Sequence, residues 1–307
     1  MRTRLVNHGA DPVATASSDL ARALLEAVES VGPYQRAYPL LLETPPDMET
    51  VRIEDLVRSD ALRAYAVRAV AEWSDHPMDE DPRAAVSRLA RRYLGSVVTA
   101  VLAPLAHGVG IVIDTGRVRA IVQHDLPQGI VLGTHEALLC RERPASWPIA
   151  GIEVATLDEL RDRVFGALLA HCAWVFDRIV AAIKVSPQLL WSTAAEQVDV
   201  LYDNAADGPA AAVFARATAD RDRLLLAETV PGVAGPNPLR DLLYWEAAAE
   251  GPEAGHVYHV RRVCCANFVV PGRTQGYCRN CDLITPAHRL EMWNEWRESV
   301  RVRGRVN

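Results

Sequence analysis

Four of the six cysteines in this 307-residue chain lie within 18 residues, and this cluster constrains the fold more than any other feature. Two adjacent cysteines are followed by twelve residues and then by a C-x-x-C pair, so that the members are Cys264, Cys265, Cys278 and Cys281. Cys140 and Cys172 have no partner at ligand spacing, and we interpret both as inert buried thiols. Clustered thiols in a reducing compartment bind metal more often than they form disulfides. The sequence therefore predicts a metal site near the C-terminus.

The rest of the composition is typical of a globular protein inside the cell. Half of the residues are hydrophobic and 23% are charged, which excludes disorder and coiled coil. Residues 1–11 carry two arginines without a following apolar segment, so we predict no secretory signal and a cytoplasmic location. The uncharged stretch from Tyr93 to Ile113 is long enough to cross a bilayer. Pro104 and the pair His107-Gly108 instead favour a buried helix to about residue 103, a turn and a strand, hence no integral span. A peripheral position on the inner face of the membrane stays open.

Charge is distributed unevenly along the chain. The net charge is −6, yet residues 256–307 carry +5 and residues 1–255 carry −11. The molecule as a whole lacks the basic excess of a nucleic-acid-binding protein, so no nucleic-acid partner is expected. A basic, cysteine-bearing end therefore adjoins an acidic body.

Hydrophobic periodicity and capping residues predict an α+β fold that is mostly helical, with a small antiparallel β region between Gly110 and Leu132. Thr156 and Glu159 form a capping box ahead of a long helix to about residue 184. Helices are also expected after Ser186-Pro187, Gly208-Pro209, Asn237-Pro238 and Thr285-Pro286, and a strand over 257–264. We divide the chain into a helical region with a β-meander (1–150), a helical region (151–255) and a metal-binding segment with a terminal helix (256–307).

Chemistry alone leaves the metal open. Four thiolates fit one tetrahedral Zn²⁺ or one [2Fe–2S] cluster, in which each iron takes two protein ligands. Adjacent cysteines in an extended segment point to opposite sides, which suits the wider two-iron target somewhat better than a single zinc ion. A thiol-redox role or a vicinal disulfide is a third possibility. His256 and His259 precede the cluster and are weighed as replacement ligands of the Rieske type.

The motif resembles the C-terminal signature of the FhuF-like ferric siderophore reductases. The resemblance rests on Arg261-Arg262-x-Cys264-Cys265, a loop containing Pro271-Gly272, Cys278-x-x-Cys281 and, upstream, the Leu190-Trp191 pair. The loop has twelve residues where about ten are usual, and Asp282 stands where proline is frequent. Ser192-Thr193 stand where Gly-Asn is expected, so the substrate contacts are expected to differ.

The resemblance implies a [2Fe–2S] cluster held by the four clustered cysteines, with no catalytic residue beyond the cluster itself. It implies a one-electron reduction of a ferric siderophore, of hydroxamate type, that releases Fe(II) in the cytoplasm. The substrate-binding residues are not identified; Trp174, Phe176 and Trp191 are weighed as pocket residues and favoured as core. Four arginines are expected to offset cluster charge or dock an acidic, ferredoxin-like electron donor: Arg261, Arg262, Arg273 and Arg279. The alternatives are a zinc-stabilised Cys₄ binding protein and an Fe–S redox sensor.

Overall fold

The protein is described by a computed structural model, which covers residues 19–32, 40–44, 48–71, 82–123, 126–133, 137–141, 151–206, 208–250, 254–266 and 277–304. The α+β prediction is confirmed, since helices dominate and the sheets are small. The helices are α1 (Asp19–Val31), α2 (Ile53–Leu56), α3 (Ser59–Ala71), α4 (Pro82–Ala106), α5 (Leu157–Ala182), α6 (Pro187–Ala206), α7 (Ala211–Leu225) and α8 (Pro286–Gly304).

The strands form three small sheets. Their bounds are β1 (Leu40–Leu41), β2 (Thr50–Arg52), β3 (Val109–Gly110), β4 (Arg119–Gln123), β5 (Leu126–Val131), β6 (Leu138–Cys140), β7 (Ile152–Val154), β8 (Leu243–Ala247) and β9 (Val257–Arg261). The sheet orders are β1-β5-β4-β2, β3-β6-β7 and β8-β9. The pairs β1·β5 and β6·β7 are parallel, and the other pairs are antiparallel.

The predicted three-stranded meander between Gly110 and Leu132 is wrong in one respect. β4 and β5 pair antiparallel as expected, but β3 pairs with β6 in a different sheet. Gly110 lies so close to α5 that an added Cβ would meet Leu160 and Val164 at 2.5 and 2.9 Å. The missing side chain allows β3 to pack directly on α5, which separates it from β4.

The apolar stretch after Tyr93 forms a helix, a turn and a strand, as predicted. α4 continues to Ala106, three residues beyond the expected end, because Pro104 falls in its last turn rather than in its interior. Gly108 adopts φ 76°, the left-handed conformation that commonly ends a helix, and β3 begins immediately afterwards.

α5 begins with the predicted capping box. Thr156 Oγ1 accepts a hydrogen bond from the backbone N–H of Glu159 at 3.1 Å, and the Glu159 carboxylate accepts one from the N–H of Ala155 at 3.1 Å. By length and composition α5 is apolar enough to cross a membrane, and half of its most apolar 18-residue window is buried within the protein. Length and composition are equally compatible with a core helix, and α5 packs against α3, α6 and β3.

The helix predicted after Asn237-Pro238 is wrong, because this segment forms a turn that leads into β8. The buried Asn237 side chain explains the difference. Its Nδ2 donates to the carbonyl oxygens of Leu224 and Ala227 at 2.8 and 3.0 Å, and its Oδ1 accepts from the N–H of Leu239 at 3.0 Å. These bonds fix a turn against the end of α7 instead of starting a helix.

One large hydrophobic cluster contains side chains from α1 to β8, on both sides of the boundary proposed near residue 150. A second, smaller cluster joins the C-terminal segment to β8 through Ala248, Tyr258, Val260 and Trp293. The three-region division stays a prediction. α6 lies between the two clusters, because it packs against α4 and α7 on one side and contacts β8 and β9 on the other.

Candidate metal centre

The cysteine cluster follows directly from β9. The turn Cys278–Cys281, hereafter the knuckle, lies against the end of this strand: the Arg261 N–H donates to the Asn280 carbonyl at 3.0 Å, and Arg261 and Cys281 form a β-bridge. Inside the knuckle the Cys281 N–H donates to the Cys278 carbonyl at 3.0 Å. Backbone pairing thus brings the C-x-x-C pair back to the adjacent cysteines.

The four thiols form one connected set. Cys265 Sγ and Cys278 Sγ are 3.8 Å apart, the Cys264 thiol hydrogen-bonds with that of Cys281, and the Cys281 thiol also contacts that of Cys278. Cys265 and Cys281 are buried, whereas Cys264 and Cys278 are half-buried. The segment therefore has a closed inner side and a partly open outer side.

The spacing of Cys265 and Cys278 fits two ligands of one tetrahedral metal. Two sulfurs that each lie about 2.3 Å from such a metal are about 3.8 Å apart, as these two are here. One zinc ion and one iron of a [2Fe–2S] cluster both require this spacing. Among the residues that the structure describes, no group of three or more His, Cys, Asp or Glu is arranged to hold a metal ion.

The surroundings of Cys264 favour its thiolate, which is the form that binds metal. Its hydrogen bond with Cys281 lowers the pKa of Cys264 to about 7 against the opposing effect of burial. The backbone N–H of Ala266 also donates to Cys264 Sγ at 3.4 Å. Cys172 is the contrasting case, because burial in α5 raises its pKa to about 12. Cys140 is buried as well, in β6.

The four predicted arginines differ in their positions. Arg261 is only 2% exposed, so it does not present a surface for a docking partner, although its charge lies beside the cysteines. Arg262 is exposed and lies over the Tyr244 ring at 4.9 Å, and Arg279 is half-buried over the Trp296 ring at 4.1 Å. Arg273 lies outside the described residues.

Arg261 binds a buried polar face of α6. Its guanidinium donates to Glu196 Oε2 at 2.9 Å, to Ser192 Oγ at 3.2 Å and to Thr193 Oγ1 at 3.1 Å. Glu196 also accepts from Arg91 Nη2 of α4 at 2.8 Å. Burial alone would raise the pKa of Glu196, but Arg91, Arg261 and His259 outweigh it and hold this pKa below its ordinary range. Ser192 and Thr193 are fully buried partners of Arg261, so they are not surface contacts for a substrate.

His256 and His259 have partners other than the cysteines. His259 Nδ1 lies 2.7 Å from Asp199 Oδ2, and its Nε2 faces Asn280. Burial alone would lower the pKa of His259, but its bonds with Asp199 and Glu196 raise it to about 9. His256 stacks on Trp293 with ring centres 5.5 Å apart. The structure thus gives no support to a Rieske-type ligand at either histidine.

The aromatic residues weighed as pocket residues are packed in place. Phe176 is buried and meets the half-buried Trp191 edge-on, with ring centres 4.8 Å apart. Arg178 covers the half-buried Trp174 ring at 3.5 Å. These contacts agree with the favoured interpretation as core residues.

Sequence reasoning missed the acidic face of α6. Ser192, Glu196 and Asp199 recur at spacings of four and three, so they lie on one side of the helix. Polar residues at this spacing inside an otherwise apolar helix are the signal that indicates a buried polar contact. They do not reveal the partner, since Arg261 and His259 are 60 or more residues away along the chain.

Comparison with known proteins gives the family. A sequence profile of the family described as "Ferric iron reductase FhuF-like transporter" matches residues 87–249, which extend from within α4 to just beyond β8. The cysteine cluster lies beyond the matched residues. A search of curated proteins found no match.

Among solved structures, aerobactin synthetase IucC from a hypervirulent pathotype of Klebsiella pneumoniae matches with 15% identity and a TM-score of 0.45. The match covers 64% of this chain and 36% of the synthetase, so the chain spans about a third of that protein's length. The profile covers more than half of the chain and includes α6, which carries the polar face bound by Arg261. On this sequence match, the chain belongs to the FhuF-like ferric iron reductase family.

Proposed function

We propose that the protein is a ferric siderophore reductase that transfers one electron to siderophore-bound Fe(III) and releases Fe(II). The observation that carries the proposal is the meeting of all four thiols beside β9, in a chain of the ferric iron reductase family. Siderophores hold Fe(III) with hard oxygen donors far more tightly than Fe(II). One electron therefore converts a nearly irreversible complex into a labile one, without the need for an acid or a base.

The cysteines would hold a [2Fe–2S] cluster, which supplies a single electron when it is bound. All four sulfurs would take part, since each contacts at least one of the others. The half-buried Cys264 and Cys278 would form the side that a siderophore approaches, while the buried pair keeps water from the inner side.

The positive charge around the cysteines suits both electron transfer and partner binding. Half-buried Arg279 would offset part of the negative charge of four thiolates and so favour the reduced state, whereas the charge of Arg261 is already balanced by Glu196. Exposed Arg262 would contribute to a docking surface for an acidic, ferredoxin-like donor, since residues 256–307 carry a net charge of +5. We place this reaction in the cytoplasm, with a hydroxamate siderophore as the substrate.

Anaerobic purification tests the metal centre. The protein should be red-brown, with about two iron and two sulfide per chain and visible charge-transfer absorption, as four thiolates on two irons require. Colourless protein with stoichiometric zinc would overturn the proposal and favour the zinc-stabilised binding protein.

A second assay tests the activity. Chemically reduced protein is mixed with a ferric hydroxamate siderophore and an Fe(II) chelator, and the Fe(II) complex should appear as the protein is reoxidised. The matched control is the Cys265→Ser variant, which removes one proposed ligand. Fe(II) release at the protein-free rate would count against the enzyme and favour a redox sensor.

A further inference from the structure

His259 connects α6 to the knuckle through side chains alone. It lies in β9, is 3% exposed, and holds Asp199 of α6 through Nδ1 at 2.7 Å. On the other edge of the ring, Nε2 faces the Asn280 amide at 2.5 Å, and the amide oxygen accepts from Nε2–H when the ring is charged. Asn280 is 2% exposed and lies inside the knuckle, directly before Cys281. A continuous chain of side chains thus leads from the acidic face of α6 to the turn that carries two thiols.

Asn280 is held at two points. Its backbone carbonyl accepts from the Arg261 N–H at 3.0 Å, and its side chain contacts His259. The two contacts come from neighbouring positions of β9, so together they fix both the position and the rotation of the knuckle relative to the strand. The Cys278 and Cys281 sulfurs are displaced whenever the knuckle rotates.

A gain in net stability does not explain why His259 contacts Asp199 and Asn280. The desolvation of buried charges offsets most of their mutual attraction, so a charged cluster stabilises a fold no more than apolar residues of the same volume. A fully bonded polar cluster nevertheless holds its members in one geometry. Groups that orient metal ligands act in this way, and their loss weakens metal binding by about 10–100-fold.

We propose that His259 is a positioning residue for the metal centre, which clamps Asn280 against Asp199 of α6 and so holds the knuckle cysteines at ligand geometry. The inference rests on the metal centre of the proposed function. It extends that function to residues that contact neither metal nor substrate.

Two substitutions test the contact of the His259 ring with Asn280 separately from its contact with Asp199. His259→Asn places an amide near the position of Nδ1, so it keeps a bond to Asp199 and loses the contact with Asn280. Asn280→Ala removes the same contact from the knuckle side. The matched control is His171→Asn, because His171 is 1% exposed in α5 and its ring bonds the Tyr93 hydroxyl at 2.8 Å and Thr115 Oγ1 at 2.9 Å. The control removes a comparable buried bond at a distant place.

Metal-free protein is titrated with Co²⁺ in competition with a chromophoric chelator, and thiolate-to-cobalt absorption reports the geometry of the sulfurs. His259→Asn and Asn280→Ala should each weaken Co²⁺ binding about tenfold and change the absorption in the same way. The double variant should be no worse than either single variant, because both remove one contact. His171→Asn should bind Co²⁺ like wild type, even if its unfolding midpoint falls as far as that of His259→Asn.

Three results would each overturn the inference. They are a wild-type Co²⁺ affinity in His259→Asn, additive losses of Co²⁺ affinity in the double variant, and an equal loss of Co²⁺ affinity in His171→Asn. Hydrogen exchange of the metal-free proteins gives a second readout. The Cys281 amide should exchange about tenfold faster in His259→Asn than in His171→Asn, which corresponds to about 1.4 kcal/mol of lost local protection. Iron-free wild-type protein would defeat the proposed function alone, since the exchange comparison still decides whether His259 holds the knuckle.

Discussion

Different forces stabilise two regions of the molecule: the body, which is the described part of residues 19–250, and the cysteine segment, which is the described part of residues 254–304. The large core is built from apolar side chains, among them the fully buried Leu94, Leu102 and Phe165. The cysteine segment joins the body through a small aromatic cluster and through charged pairs, of which Arg261 with Glu196 and His259 with Asp199 are buried. Apolar burial is indifferent to pH and metal, whereas charged pairs and thiols respond to both. The segment should therefore respond to these conditions more strongly than the body does.

The largest expected effect divides the two kinds of cysteine. Each single Cys→Ser change at 264, 265, 278 or 281 should abolish or severely reduce the visible absorption of anaerobically prepared protein, because one iron would lose one of its two thiolates. Cys172→Ser is the matched control. This thiol is buried in the body and burial raises its pKa to about 12, so its loss should leave the absorption unchanged. Absorption lost in the control and kept in the cluster variants would reverse the assignment.

The second prediction breaks the charged attachment. Glu196→Ala leaves Arg261 buried without its carboxylate and deprives Arg91 of the same partner. An uncompensated buried charge of this kind costs about 3–5 kcal/mol of unfolding free energy, which denaturant titration measures.

Glu153→Ala is the control for that experiment. Glu153 of β7 pairs with Arg141 on the surface at 3.3 Å, and exposed pairs are worth about 0.2–1 kcal/mol. A loss of less than 1 kcal/mol in Glu196→Ala would show that the charged face of α6 does not anchor the segment.

The third prediction concerns pH. The pKa of His259 is raised from 6.5 to about 9, so its charged form stabilises the fold fully below pH 6.5, and this contribution is lost as pH rises through 9. Bonds that outweigh burial hold the pKa values of Glu196 and Asp199 below their ordinary ranges, so their contribution is lost only in acid. The charged groups around the ring come from four elements: Glu196 and Asp199 of α6, Arg91 of α4, Arg221 of α7 and Arg261 of β9.

The measurement is the difference in unfolding free energy between wild-type and His259→Asn protein, taken in the same metal state from pH 6 to 9.5. Cys264, whose pKa is about 7, titrates in the same range, so both proteins also carry Cys264→Ser. The advantage of the wild type should shrink as pH rises through the upper part of this range. If this difference in unfolding free energy does not vary with pH, the imidazole of His259 is neutral between the two carboxylates, contrary to the prediction.

Local patterns in the sequence were sufficient for much of the body. Leu157–Ala182, Pro187–Ala206 and Pro286–Gly304 form helices where capping residues and proline positions predicted them. The strand before the cysteines was also predicted, although it ends at Arg261 instead of continuing to residue 264. Pairing between distant segments was not predictable in the same way. The parallel pairing of β1 with β5 joins segments about 90 residues apart, and two-residue strands carry no periodic signal.

The site shows the same division. The cysteines are recognisable because their spacing is local, and the family match supports the interpretation without reaching them. Arg261 illustrates what spacing cannot give. An arginine beside a metal motif suggests a surface charge, and only the fold shows that α6 presents Glu196, Ser192 and Thr193 to bury it.

The smallest predicted effect comes from a change in the body that should lower stability without changing metal binding. Thr156→Ala removes the N-cap of α5 and leaves the Glu159 N–H without its acceptor, which should lower the unfolding free energy by about 1 kcal/mol. Because α5 reaches the segment only through the core, Co²⁺ affinity should match wild type. Thr156→Ser keeps the hydroxyl and should restore most of the stability. A Co²⁺ affinity that falls together with stability in Thr156→Ala would mean that the body and the cysteine segment unfold as one unit, and the difference between their forces would then have no consequence for metal binding.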